Sequence, residues 1–321
     1  ETGNPEDVIL HSDRKSHRVF YVNSPDAKIA DLAIENSYLK AYGDMGAAIK
    51  FSILGGMVSN CIVRGGLFTG KNCTSSGVFA YGPDALITHC VISNNVNGGF
   101  YTDNGCFGAT GLVLGNGARG EHCLITKNRY YDNSNYGYYK AAAWVQGGSV
   151  LRYSTVYGNA STLVGGVNVS GSGRFEKCVI AGNTIGRSDT TDPRHAVWGA
   201  FNFTLGELYH RKDLATHLAE EETRHLDEAV QARVTTNASN VAEADLGPGS
   251  LTVETRLLFA HPKRGDFHPR PSSPTVDAVP PEAETAAMPE ADLKGNRRLF
   301  GDGYDLGAVE GNYKGLMLLV K

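Results

Sequence analysis

The chain has 321 residues, room for one large domain or two ordinary ones, with 39 glycines, 20% charged residues and a formal net charge of −4. That balance gives no reason to expect a nucleic-acid partner, because no basic stretch is available to track phosphates. No apolar run approaches the ~20 residues of a membrane-spanning helix, and the closing GLMLLV reads as a strand.

The chain opens ETGNPEDVIL, with no initiator Met and no signal-peptide pattern, and is expected to be a processed chain or a fragment. Sequons at Asn72, Asn168, Asn202 and Asn237 matter only if a eukaryotic secretory pathway makes the protein. From Asp31 onward the chain is periodic. DLAIENS from Asp31 is followed by NCIVRGG from Asn60, HCVISNN from His89, HCLITKN from His122, YSTVYGN from Tyr153 and KCVIAGN from Lys177, at intervals of 29, 29, 33, 31 and 24 residues. The shared pattern is a small residue, two β-formers, two variable residues and, in most copies, Asn. A second, glycine-rich strand precedes most copies: GAAIKFS from Gly46, GVFAYG from Gly77, GLVLGN from Gly111, AAWVQGG from Ala142 and GGVNVSG from Gly165. No helical pattern separates these strands.

Short strands repeating at this period without crossover helices predict an all-β fold, a right-handed parallel β-helix over 1–205, each repeat forming one coil. Like residues then stack about 4.8 Å apart. Cys61, Cys90, Cys123 and Cys178, with Ser154 in line, are expected to form a buried column. Val63, Ile92, Ile125, Val156 and Ile180 form an apolar column beside it, and Asn95, Asn128, Asn159 and Asn183 a turn ladder. A linear column of thiols cannot supply tetrahedral metal ligands, so the cysteines are expected to be packing residues. Cys73 and Cys106 lie outside the column and could meet across neighbouring coils as a disulfide. A β-sandwich is the rival fold, but a sandwich does not need one residue type at one point of every repeat.

After Gly206 the pattern changes. Leu214, Leu218, Leu226 and Val230 recur at helical spacing among charges, predicting one amphipathic helix over 212–233 within an insertion spanning 206–234. His217, Glu221 and His225 share one face of it, but no H-E-x-x-H appears and they are expected to be solvated rather than metal ligands. Residues 235–321 are expected to hold the last coil or coils and a closing motif.

That motif, GDFH…SSPTVDA…DLKGNRR…GYDLGAVEG from Gly265 to Gly311, resembles the closing module of bacterial right-handed parallel β-helix proteins of the choice-of-anchor Q type, in the pectate-lyase-like superfamily. The C-[VIL]-[IV]-x-x-N copies resemble the repeats of the same family. The resemblance implies a bacterial protein that is secreted or held at the cell surface, among relatives that include polysaccharide lyases, epimerases and adhesin-like proteins. Fold alone does not choose among them. Asp277, Asp292, Arg297, Arg298, Asp305 and Glu310 are expected to be paired charges with a structural role. The RGD at 264–266 lies inside this motif and is expected to be a chance tripeptide.

Loop lengths suggest where a ligand could sit. Coil five has only ASTLV after its Asn, between the RYYDNSNYGYYK stretch of coil four and the long TIGRSDTTDPRHAVW of coil six. This predicts a notch between two walls. One wall carries Arg129, Tyr130, Tyr131, Asp132, Tyr136, Tyr138, Tyr139 and Lys140, and the other Arg187, Asp189, Asp192, Arg194, His195 and Trp198. Aromatic faces stack on sugar rings and arginine forks hold carboxylates, so the expected partner is a polysaccharide; a loop in which the tyrosines only pack against the solenoid is an equal alternative. Substrate-binding residues are expected to be Arg129, Tyr130, Tyr131, Asp132, Tyr138, Tyr139, Arg194 and Trp198. A lyase acting on uronic acids needs a cation to neutralise the carboxylate and a base for the adjacent proton, roles for which Lys140 and His195 are the candidates. No cofactor is expected, although Asp and Asn clusters could hold Ca²⁺, and the protein is expected to be a monomer. The reading against which this is set is a non-catalytic structural or adhesin-like surface module.

Overall fold

The computed structural model describes residues 3–13, 16–40, 44–69, 75–99, 109–132, 141–161, 165–185, 203–205, 234–235, 238–239, 250–284 and 288–311. The predicted helix over 212–233, Cys73 and Cys106 lie outside them. Among the described residues, three parallel sheets of 14, six and seven strands wind into a solenoid, and a two-stranded antiparallel hairpin lies outside it. The chain is therefore an all-β parallel solenoid, a parallel β-helix, and the strong preference of parallel crossovers for one hand makes the coil right-handed.

The register is the one the repeats require. Ile92 pairs with Val63 on one side and Ile125 on the other, Ile125 pairs with Val156, and Val156 with Ile180. All five side chains are buried. They meet Val78, Leu112, Ala143 and Val167 from the seven-stranded sheet in one core. Cys61, Cys90, Cys123 and Cys178 stack along the same interior as free, buried thiols. Each sulfur lies near the carbonyl two residues earlier, 3.1 Å from Thr88 O for Cys90 and 3.2 Å from Glu121 O for Cys123. Ser154 continues the column by accepting from the Cys123 N–H at 3.1 Å. Burial pushes the Cys123 and Cys178 thiols up to about 12, so they stay protonated and unreactive.

The Asn ladder also forms. Asn95 Nδ2 donates to Asn128 Oδ1 at 3.0 Å, Asn128 Nδ2 to Asn159 Oδ1 at 3.1 Å and Asn159 Nδ2 to Asn183 Oδ1 at 2.9 Å. Each Oδ1 also accepts a main-chain N–H from the coil before it, so buried polar groups that would otherwise be orphaned are paired. Asn168 is wholly buried within the strand Val167–Val169, so its sequon cannot carry a glycan in the folded chain.

Each coil bends through two left-handed residues that the repeat pattern does not announce. The first comes just before the small-residue column, at Asp31, Asn60, His89, His122, Tyr153 and Lys177. The second comes just before the Asn ladder, at Asn36, Gly65, Asn94, Lys127, Gly158 and Gly182. A positive φ is uncommon for Tyr or Lys and persists only where the surroundings over-determine it. Here the hydrogen-bonded strands on either side and the stacked neighbouring coils do so.

The closing module covers the flank of the solenoid. Val253, Leu258, Phe259, Phe267, Leu306 and Val309 pack on the outward-facing Leu124, Tyr153, Val179 and Ala181. The hold extends across coils: His89 Nε2 lies 2.9 Å from Ala291 O, Ala308 N donates to Thr155 Oγ1 at 3.1 Å, and Gly307 N donates to Lys177 O at 3.1 Å. Inside the module, Arg298 is wholly buried and pairs with Glu310 at 2.5 Å. Asp305 accepts from the N–H groups of Asp277 and Gly311, and Asp292 from those of Lys294, Asn296 and Glu310. Five of the six charges read as structural thus organise this module, while Arg297 is exposed.

Candidate functional site

Three surfaces bear on where a ligand would sit. The first is the six-stranded sheet. Arg129–Asp132 pairs with Val96–Gly99 through four residue pairs, but with Ala160–Ser161 of coil five through Arg129 and Ala160 alone. Among the described residues the sheet thus steps between coils four and five. Alternation along the strand turns Arg129 outward, where it is exposed, and Tyr130 inward. Tyr130 is only 1% exposed and packs with Leu39, Ala47 and Phe68, so its ring serves the interior and offers no face to a sugar. The backbone of Tyr131 and Asp132 lies opposite Gly98 and Gly99. Tyr136, Tyr138, Tyr139, Lys140, Arg187, Asp189, Asp192, Arg194, His195 and Trp198 lie outside the described residues.

The second surface lies where the closing module meets the solenoid. Phe259–His261 and Asp266–Pro269 form the antiparallel hairpin, closed by the short turn Pro262–Arg264 and by Gly265 at φ 82°. Tyr157 of the solenoid meets Phe259 edge-on at 5.4 Å and Phe267 at 5.6 Å. Gly182 makes room for this ring, since a Cβ there would lie 2.8 Å from it. Over this aromatic cluster opens a cavity of about 580 Å³ bordered by Tyr157, Arg256, His261, Lys263, Arg264 and Arg270. Arg270 is steadied by donating from Nε to Phe259 O at 3.0 Å. The RGD sits on this hairpin turn, but its Asp266 carboxylate is held by His268 Nδ1 at 2.7 Å, a contact that also keeps it below the usual carboxylate range.

A third hollow, about 540 Å³, lies between Gly3–Glu6, Asn60, His89 and Ala291–Gly295. Beneath it the left-handed column becomes a stack of rings. His89 and His122 lie 5.1 Å apart, His122 and Tyr153 5.5 Å. The Arg298 guanidinium sits 4.5 Å from the Tyr153 ring centre, and both the Tyr153 hydroxyl and Lys177 Nζ donate to Glu284 Oε2 at 2.6 Å. Neither ring nitrogen of His122 has a hydrogen-bond partner among the described residues. Burial, reinforced by the nearby Arg298, pushes this imidazole down to about 2, so it is neutral.

The sequence did not point to the cavity on the flank. Its cations are spread over Arg256 to Arg270 in a proline-rich string, and only the hairpin brings them together. The usable signal was the run HPKRGDFHPR itself, four of whose ten residues are Lys, Arg or Asp and two His.

Among the described residues no group of His, Cys, Asp or Glu is arranged to hold a metal ion, and no helix is long and apolar enough to cross a membrane. Comparison with known protein families, curated proteins and solved structures finds no match. The class the fold defines is therefore that of the parallel β-solenoid proteins.

Proposed function

We propose that this is a secreted or cell-surface β-helix protein of the choice-of-anchor Q type that binds polysaccharide across the step in its six-stranded sheet. The observation that carries the reading is the step itself, where strand pairing narrows from four residue pairs to one beside the exposed Arg129. In this reading Arg129 and Arg194 hold an acidic group, while Tyr131, Asp132, Tyr138, Tyr139 and Trp198 line the ring-binding walls. Tyr130 anchors the strand from below. If the chain is cut, the reaction is β-elimination on a uronic acid: the C5 proton goes to a base, the C4–O bond breaks, and the departing oxygen takes a proton. Lys140 and His195 are the groups proposed for these transfers.

The test pairs binding with turnover. Polygalacturonate is titrated into the chain and into Arg129→Gln, and unsaturated uronate is followed by ultraviolet absorbance. Weaker binding by Arg129→Gln, with product formation lost in Lys140→Gln or His195→Gln, supports the reading. Unchanged binding by Arg129→Gln overturns the placement. The burial of Tyr130 favours a second reading, a non-catalytic surface module whose tyrosines pack the solenoid. Absence of both binding and product would select it.

A further inference from the structure

The cavity on the flank is a positive island on a chain whose formal net charge is −4. Arg256, Lys263, Arg264 and Arg270 border it. Among the described residues Glu254 pairs with Arg256, in an exposed pair, and the Asp266 carboxylate is occupied by His268. A hollow lined by one sign of charge focuses its field and concentrates counter-ions. The volume of about 580 Å³ falls within the range of small-ligand sites.

The type of cation says more than the charge. A carboxylate has two oxygens and is filled by one arginine fork, whereas a sulfate or phosphate monoester has three terminal oxygens and offers edges to several forks. Arg264, Arg270 and Lys263 around one hollow, with the Glu254-paired Arg256 at its border, therefore suit a tetrahedral oxyanion better than a carboxylate. The partly exposed Tyr157 ring adds an aromatic wall beside them, the surface a sugar ring packs on.

We propose that this cavity binds a sulfate or phosphate monoester carried on a sugar, as a site separate from the step in the six-stranded sheet. It does not depend on the reading given to that step. Calorimetric titration of the full chain with glucose 6-sulfate, glucose 6-phosphate and glucuronate tests it. The variant is Lys263→Gln with Arg264→Gln, both exposed residues of the hairpin turn, and the exposed Arg119→Gln, outside both sites, is the control. One or both esters should bind more tightly than glucuronate, lose affinity as salt rises, and bind the double variant about tenfold more weakly or worse. Arg119→Gln should bind them as the parent does. Binding of the sulfate alone identifies sulfated glycans as the source; binding of the phosphate alone identifies phosphorylated ones. If the double variant loses its fold by circular dichroism, the single variant Arg264→Gln takes its place with the same expectation. The proposal is overturned if no ester binds, if glucuronate binds as well as the esters, or if the folded variant binds them undiminished. Loss of polygalacturonate binding in Arg129→Gln alone would speak only to the step.

Discussion

His122 combines a left-handed backbone, complete burial and two ring nitrogens without a partner among the described residues. Its folded pKa, about 2, lies far below the 6.5 of an unperturbed imidazole. Between those values the unfolded chain takes up a proton that the folded chain refuses, so stability is full above about pH 6.5 and falls as the pH drops. The slope from this one group is about 1.4 kcal/mol per pH unit. Urea unfolding between pH 4 and 7 should show that limb, and His122→Asn, which keeps a residue at ease in the left-handed region, should flatten it. Cys123 makes the complementary test. Cys123→Asp buries a charge without a partner and should cost about 3–5 kcal/mol, whereas Cys123→Ser should be much milder. A melting temperature unchanged by the aspartate would refute the buried column. Both residues sit in a repeat the sequence displays openly, yet only the cysteine's role could be read there. The cysteine recurs as a side chain. The neighbouring position recurs as a backbone angle shared by Asp, Asn, His, Tyr and Lys, and no side-chain pattern reports it.

At the scale of the element, the Asn ladder turns four separate turns into one hydrogen-bonded rail. Asn128 accepts from the Asn95 main chain and amide, and donates to Ile92 O and Asn159. Asn128→Ala should leave at least two buried polar groups without partners, at about 1–3 kcal/mol each. Hydrogen exchange at the Asn95 and Asn128 amides should report the loss before global unfolding does. This rail, the apolar column and the strand order were legible because period-matched residues must superimpose in a solenoid. The hairpin and its cavity were not, because Arg256 and Arg270 are neighbours only after the chain doubles back through Gly265. The fate of Tyr130 was settled by alternation. In a loop its ring could have faced solvent; in a strand beside Asn97 it turns to the interior.

For the whole molecule, the decisive contact is the closing module on the flank. Its charge pattern was readable as structural, but its position was not, since nothing in GYDLGAVEG says whether it plugs an end or lies along a side. Arg298→Ala should strip the buried Glu310, whose carboxyl burial pushes up to about 8, of its guanidinium partner and uncover one face of Tyr153, costing about 3–5 kcal/mol. Limited proteolysis should then cut first in the module, at sites such as Lys294 and Arg297. Solenoids ordinarily vary in length with ease, because each coil touches only its neighbours. This one carries a strap from the coil of His89 to the coil of Lys177, about 14 Å away at the usual strand spacing. The strap is a vernier: removing or duplicating a single coil between those points would put the attachments at its two ends out of step by one rung. The later segment therefore measures the earlier one, and a chain with the wrong number of turns should fold its coils yet fail to close over them.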